Sequence, residues 1–402
     1  MIRVLSASFS FLRLGLISNS SVFVNSSKHK IFMQSSNCGK PSRLMEFKVK
    51  DLTVDKRRLV QVPDYATLAD TLNAMVNHAS LITMFLLLEL TAVPVAAKPG
   101  HWLGAGGSMI VESDKQSGSA RKQYIGMVTM LDAVAHIAGD DGDSGLDKKM
   151  AAPISSIIGH CPEGLSLWSL NPNTSLMNCM EILSKGVHRV LVPLDSNIEN
   201  ISLGPELVES ASAYVMLTQM DLISFFLHRS SDLQSILSRT VTDLSAIHDT
   251  VLALTSKARV KDAVKCMSAA MLNAVPIVEA SNEEEDHKQL VDGKNRRVLG
   301  TFSASDLKGC HLATLRSWLP LNALEFAEKI PRTLLFTTAT STPGRELVTC
   351  HVTSTLGQVI HMVATKHVHR VWVVDQNDGL QGLVSLTDII AAVRSALLSQ
   401  DL

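Results

Sequence analysis

Four short segments of the chain carry apolar residues at the spacing i, i+4, i+7, the stripe that one face of an α-helix presents to a core. They are Leu68/Leu72/Met75, Leu176/Met180/Leu183, Val260/Val264/Met267 and Leu356/Ile360/Val363. Thr67, Ser175 and Thr355 stand directly before three of them, where a hydroxyl can cap the first free backbone amides. The third has Arg259 in that place, a weaker start. After each stripe comes a run rich in β-branched residues, AVPVAA, HRVLVPLD, NAVPIVE and HRVWVVD, as strands buried on both faces require. A second strand then ends in Ser or Thr, with Asp three residues later and a helical apolar pattern beyond it: YIGMVTMLDAVAHI, AYVMLTQMDLISFF, RVLGTFSASDLKG and LQGLVSLTDIIAAV.

The pattern predicts four copies of one α/β unit, each with a leading extended segment, then helix, strand, strand, helix. The Asp recurs about every 80 to 90 residues, a plausible length for one such unit. The copies are expected at 46–138, 150–229, 236–310 and 330–398. They differ mainly in the loop between the two strands, which is long in three copies and only QNDG in the fourth; surface loops accept insertions at little cost. The Gly-rich part of the first loop joins strand to strand, so it is not expected to cradle phosphate at a helix start. The first copy also has about ten extra residues between helix and strand, the apolar LITMFLLLEL at 81–90. It looks like an insertion from altered splicing or a wrong gene model that disrupts the first unit locally. Glu89 and Pro94 interrupt the run, which is too short for a spanning helix of about 20 apolar residues.

Composition narrows the functional classes. Apolar residues make up 46% and charged residues 19% of the 402, so the chain can bury cores rather than remain disordered. Lysine plus arginine (37) balances aspartate plus glutamate (38), which removes the basic field of a nucleic-acid binder and makes any anion site local. Six scattered cysteines without a CxxC pair read as reduced thiols in a cytosol-like compartment. Residues 1–45 contain Arg3, Arg13, Lys28, Lys30, Lys40 and Arg43 but no acidic residue. This segment reads as a disordered or transit-like leader, or as sequence upstream of a true start at Met45. The location expected is cytoplasmic or nuclear, with organelle import if the leader is a genuine transit peptide.

A unit of this length and order, ending in [ST]-x-x-D, resembles the CBS domain, which pairs into Bateman modules. Four in tandem look like the γ regulatory subunit of AMP-activated and plant sucrose-non-fermenting-related kinases. KDLTVDKRRLVQVP, GHWLGAGGSMIVESDKQ, MLDAVAHIAG and SLWSLNPNTSL resemble its plant γ-like branch. The resemblance covers Met45 to the C-terminus and implies an α/β (α+β) fold of four CBS repeats in two Bateman modules with a disc-like arrangement. It further implies a non-catalytic subunit that binds AMP, ADP or ATP as regulatory ligands, needs no cofactor, docks on a catalytic α and a scaffold β subunit, and binds neither nucleic acid nor membrane. Male reproductive development is a role the branch suggests and no residue shows.

In that family the Asp of [ST]-x-x-D holds the ribose hydroxyls. The matching residues are Asp132, Asp221, Asp306 and Asp388, with Thr129, Thr218, Ser303 and Ser385 beside them. A carboxylate at a helix start can accept two hydrogen bonds from a diol. The same spacing is also close to a capping box, and the two readings are compatible. His188-Arg189 and His369-Arg370 open the first strand of the even copies. The resemblance implies that they face phosphate; Arg offers a permanently charged fork and His a second donor. A surface cation at a strand start is the plainer alternative.

Two departures weaken the match: Met220 stands where the family has a basic residue, and Thr91-Ala92-Val93-Pro94 lacks an Arg. His351, His361, His367 and His369 have no completing carboxylate or Cys. Trp168, Trp318 and Trp372 are read as core or interface packing. No catalytic motif is present, so the chain is expected not to be an enzyme. A sensor of adenosyl ligands acting on other partners and a scaffold without ligand are the competing readings.

Overall fold

The computed structural model describes residues 41–54, 56, 59, 61–80, 92–96, 124–137, 145–159, 164, 167–193, 214–282, 284–307, 312–329 and 347–400. Most of the expected leader and all of the 81–90 insert lie outside them.

Unit one comprises β1 (Val62–Pro63), α1 (Leu68–Ser80), β2 (Ala92–Ala96), β3 (Tyr124–Thr129) and α2 (Met130–Ile137); α3 (Leu146–Met150) follows. Unit two comprises α4 (Leu176–Leu183), β4 (Arg189–Pro193), β5 (Tyr214–Thr218) and α5 (Gln219–His228), followed by α6 (Gln234–Leu237). Unit three comprises β6 (Leu252–Thr255), α7 (Val260–Ala270), β7 (Ala274–Val278), β8 (Val291–Asp292), β9 (Val298–Ser303) and a 3-10 turn (Ala304–Leu307). After α8 (Leu312–Trp318) and α9 (Ala323–Lys329), unit four comprises β10 (Thr349–Cys350), α10 (Leu356–Lys366), β11 (Arg370–Val374), β12 (Leu380–Ser385) and α11 (Leu386–Gln400). In units one, three and four the leading strand runs parallel to the strand after the helix, which pairs antiparallel with the next. In unit two the leading strand shrinks to a Ser169–Leu191 bridge.

All twelve stripe residues are buried at 0–3% exposure. Ser175 accepts the Asn178 amide, and Thr355 and Gln358 form a complete capping box. Arg259 starts its helix with extended backbone but makes no side-chain cap.

The strands sort their side chains between two kinds of core by the period of two. On β11, Val371 and Val373 join the helices while Trp372 and Val374 face the sheet of unit three. On β4, Val190 and Val192 join the helices while Leu191 faces unit one. Sheet faces therefore join one to two and three to four. The helical cores pair differently: one contains units one and three, with α2 against α7 and the Ala304–Leu307 turn, and the other contains units two and four, with α5 and α4 against α10 and α11. Four contacts close a ring, one to two to four to three.

Leading segments are exchanged within each sheet-paired couple. Residues 44–50 pack on unit two, where the Val49 amide donates to Thr174 O and Lys48 bridges Ser175. The segment preceding unit two caps unit one through Ile154 N to Ala66 O. Units three and four repeat the exchange, through Val241 N to Ser354 O and Ala323 N to Ala258 O. The end of the expected leader takes part, since Pro41–Glu46 is a 3-10 helix and Leu44 is 2% exposed.

Trp318 and Trp372 are buried, and Trp372 Nε1 donates across the seam to Thr301 Oγ1 at 2.7 Å. Trp168 departs from the packing expectation at 46% exposed. Urea unfolding followed by circular dichroism will show Trp372→Ala losing about 3–5 kcal/mol and Trp168→Ala staying within about 0.5 kcal/mol of the parent. Installing the missing cap with Arg259→Ser will raise stability by roughly 0.5 kcal/mol.

Candidate functional site

The strand register places each His-Arg pair beside an [ST]-x-x-D motif. Arg189 pairs with Thr218 across β4 and β5, and Arg370 with Ser385 across β11 and β12. The same register sets Ala92 opposite Thr129 and Ala274 opposite Ser303, so the odd units carry alanine where the even units carry arginine. The carbonyls of His188 and His369 accept the first helical amides, of Gln219 and Leu386.

Each acid first completes a cap. Asp132 Oδ2 accepts the Thr129 amide at 2.8 Å and hydroxyl at 2.6 Å. Asp221 Oδ2 accepts both from Thr218, at 2.7 and 2.8 Å. Asp388 Oδ2 accepts the Ser385 amide at 2.8 Å and hydroxyl at 2.5 Å. Asp306 Oδ2 accepts the Ser303 amide at 2.8 Å, while the Ser303 hydroxyl meets Ser305 Oγ and Asn273 O. Thr67–Asp70 and Thr240–Asp243 build the same local geometry away from the four repeat positions. The motif by itself reports a helix start; what sets the four acids apart is their surroundings.

Those surroundings differ. Asp132 is fully buried, and the chain passes so close that a Cβ on Gly164 would lie 2.6 Å from Met127 O and 3.4 Å from Asp132 Oδ2. Asp306 is 3% exposed. Asp221 is partly exposed but meets Lys56 Nζ at 2.6 Å. Asp388 is half-buried and, among the described residues, has no ion pair; its own unit supplies Arg370 nearby. Burial lowers the Arg370 guanidinium to about 10, opposed by the Asp388 charge, so it remains cationic at neutral pH. Its Nη1 donates to Ala274 O at 2.8 Å, tying unit four to unit three, while the His369 side chain is exposed. Helix starts of units two and four meet where Gln219 Nε2 donates to Thr387 Oγ1 at 2.8 Å and to Leu183 O at 2.9 Å. Met220 packs against the apolar core there.

Other chemistry is muted. Burial pushes the Cys179 and Cys350 thiols up to about 12, which keeps them protonated and poor nucleophiles. Among the described residues no cluster of three His, Cys, Asp or Glu is placed to hold a metal, and no helix is long and apolar enough to cross a membrane.

A CBS domain model matches residues 341–395, which is unit four with its leading segment. The chain is 84% identical over 358 residues to the SNF1-related protein kinase regulatory subunit gamma-like PV42b of Arabidopsis thaliana, covering 89% of this chain and 97% of that protein. The chain belongs to this γ-like regulatory subunit family. PV42a of Arabidopsis thaliana, carrying the same description, is 56% identical over 89% of this chain and 97% of its own. The fold is shared with a crystal structure from Methanocaldococcus jannaschii described as a proposed archaeal homologue of γ-AMPK, with TM-score 0.53, 17% identity, and coverage of 85% of this chain and 98% of that one.

Within this γ-like chain, inspection of the sequence missed Lys56 and Gln219. Lys56 sits in the run DKRR, which reads as a solvated charge cluster until the exchange of leading segments carries it to unit two. Gln219 precedes Met220, and only the helix seam reveals its cross-unit bonds.

The caps make a pH signature. The Thr67 hydroxyl and then its amide hold the Asp70 carboxyl below its ordinary value, and Thr240 acts likewise on Asp243. A carboxyl depressed on folding contributes stability above its unfolded pKa and loses it as pH falls through the folded one. The urea midpoint will be flat above about pH 5 and fall below about pH 4, and the double variant Asp70→Asn/Asp243→Asn will fall less steeply over that range.

Proposed function

We propose that the chain is a non-catalytic γ-like regulatory subunit of a plant SNF/AMPK-type serine/threonine kinase complex, and that it binds an adenine nucleotide at unit four. The observation that carries the site is the grouping of Asp388, Ser385, Arg370 and His369 at one strand and helix start, with Asp388 half-buried and held by no ion pair among the described residues. A carboxylate there can accept a ribose diol through its remaining lone pairs, and two adjacent cationic or donor side chains suit phosphate. Thr129, Asp132, Ser303 and Asp306 serve structure first in this reading, since both acids are buried; His188, Arg189, Thr218 and Asp221 form a second, closed position.

Ligand bound beside the seams of the ring favours one arrangement of the units and so alters the face that docks on catalytic α and scaffold β subunits. Such a switch needs a ligand with different affinity for the two arrangements. The names of PV42b and PV42a support the kinase assignment. A cytoplasmic or nuclear site of action and a part in male reproductive development complete the proposal; the latter rests on the branch resemblance. A ligand-free scaffold is the second reading, favoured by the caps and by the Lys56–Asp221 pair. A sensor of adenosyl ligands for other partners is the third.

Calorimetry of the full chain with AMP, ADP, ATP and S-adenosylmethionine separates these readings. Nucleotide binding weakened about tenfold or more by Asp388→Ala, as loss of hydrogen bonds to a charged group predicts, supports the first. Absence of binding to all four supports the scaffold. Failure to co-purify with every α and β isoform overturns the kinase assignment.

A further inference from the structure

The segment that leads into unit one crosses to unit two, where backbone hydrogen bonds of Val49, Lys50 and Leu59 and one ion pair hold it. Val49 is fully buried, the Val49 amide donates to Thr174 O and the Lys50 amide to Pro172 O. Phe47 stacks edge-on against Phe225 at 5.1 Å and lies under the Arg229 guanidinium at 4.7 Å. Held along this track, the chain turns at Thr53, whose carbonyl accepts the Lys56 amide, and Lys56 Nζ reaches Asp221 Oδ2 at 2.6 Å. The ammonium shares that oxygen with the Thr218 amide and hydroxyl, and the two side chains retain only 18% and 21% exposure.

Unit four has the same strand register and cap, and the segment exchanged onto it contacts β12 through His248, by a backbone bridge to Leu383. No ion pair engages Asp388 among the described residues, whereas the strap delivers the Lys56 ammonium to Asp221.

We infer that Lys56 is an internal gate: the strap of residues 44–56 seats an ammonium on Asp221, occupying the oxygen at which a ligand diol would bind, and keeps unit two closed while unit four stays open. The gating half rests on the proposed nucleotide function; the latching of the strap does not. Displacing the gate requires a ligand that replaces the ammonium at Asp221 and lifts the strap, or neutralisation of Lys56. The chain thereby sets the number of working sites by its own ion pair.

Four full-length proteins test this: the parent, Lys56→Gln, Asp221→Asn, and the two combined. Hydrogen exchange of the Val49, Lys50 and Lys56 amides reads the latch, and calorimetric stoichiometry with ADP reads the gate. The latch predicts severalfold faster exchange in all three variants, with the double variant no faster than either single one. Exchange equal to the parent in Lys56→Gln overturns it. The gate predicts one additional ADP site in Lys56→Gln, absent from Asp221→Asn and from the combined variant. Unchanged stoichiometry with normal binding at Asp388, or an extra site that survives Asp221→Asn, overturns the gate. ADP binding in none of the four proteins, the parent included, is the failure of the nucleotide reading and of the gate with it, while the exchange result still decides the latch.

Discussion

A small sheet with helices on one face leaves its other face to be covered, and each unit meets that demand with a neighbour. Ala92 and Met127 close against Leu191 and Tyr214, and Trp372 and Val374 against Val251 and Val278. The helices in turn are too few to wrap their own sheets, so α2 shares a core with α7, and α5 with α10 and α11. Two kinds of incompleteness, one per face, generate the ring. Exchange of the leading segments then ties each sheet-paired couple together by backbone hydrogen bonds that neither member could satisfy alone.

Because the closing helices begin where the second strands end, ring closure brings the acidic caps to the seams. Cap and seam together decide what each carboxylate can do. A buried acid whose oxygen accepts an amide and a hydroxyl, as Asp132 does, has been committed to folding. One left half-buried beside an arginine, as Asp388 is, keeps part of its surface exposed. Four sequence-equivalent positions thus have three different environments.

Regulation by binding suits such a ring. Arg370 spans units four and three through Ala274 O, and Gln219 spans two and four through Thr387. These bonds and the shared helical cores put helix starts in contact with an adjoining unit. Coupling of that kind needs no moving domain, only two arrangements of packed elements whose balance a ligand shifts.

Much of this was legible along the chain. The i, i+4, i+7 stripes, the caps at Ser175 and Thr355, the uncapped Arg259 and the doubly buried strands are properties of short segments, where backbone geometry and side-chain chemistry act within a turn or two. The four-fold repetition follows from the same periodicities. Which unit faces which, the crossing of residues 44–56 to unit two, the exposure of Trp168 and the ion pair of Lys56 with Asp221 do not. Those depend on contacts between residues far apart in the chain, 71 positions for Trp372 and Thr301 and 168 for Gln219 and Thr387, or on a strap whose destination no local pattern encodes. Sequence determined the unit and its helix starts, because these are local; the tertiary structure decided which carboxylates are buried, paired with a cation or left half-exposed, because burial and charge at each one come from a different part of the chain.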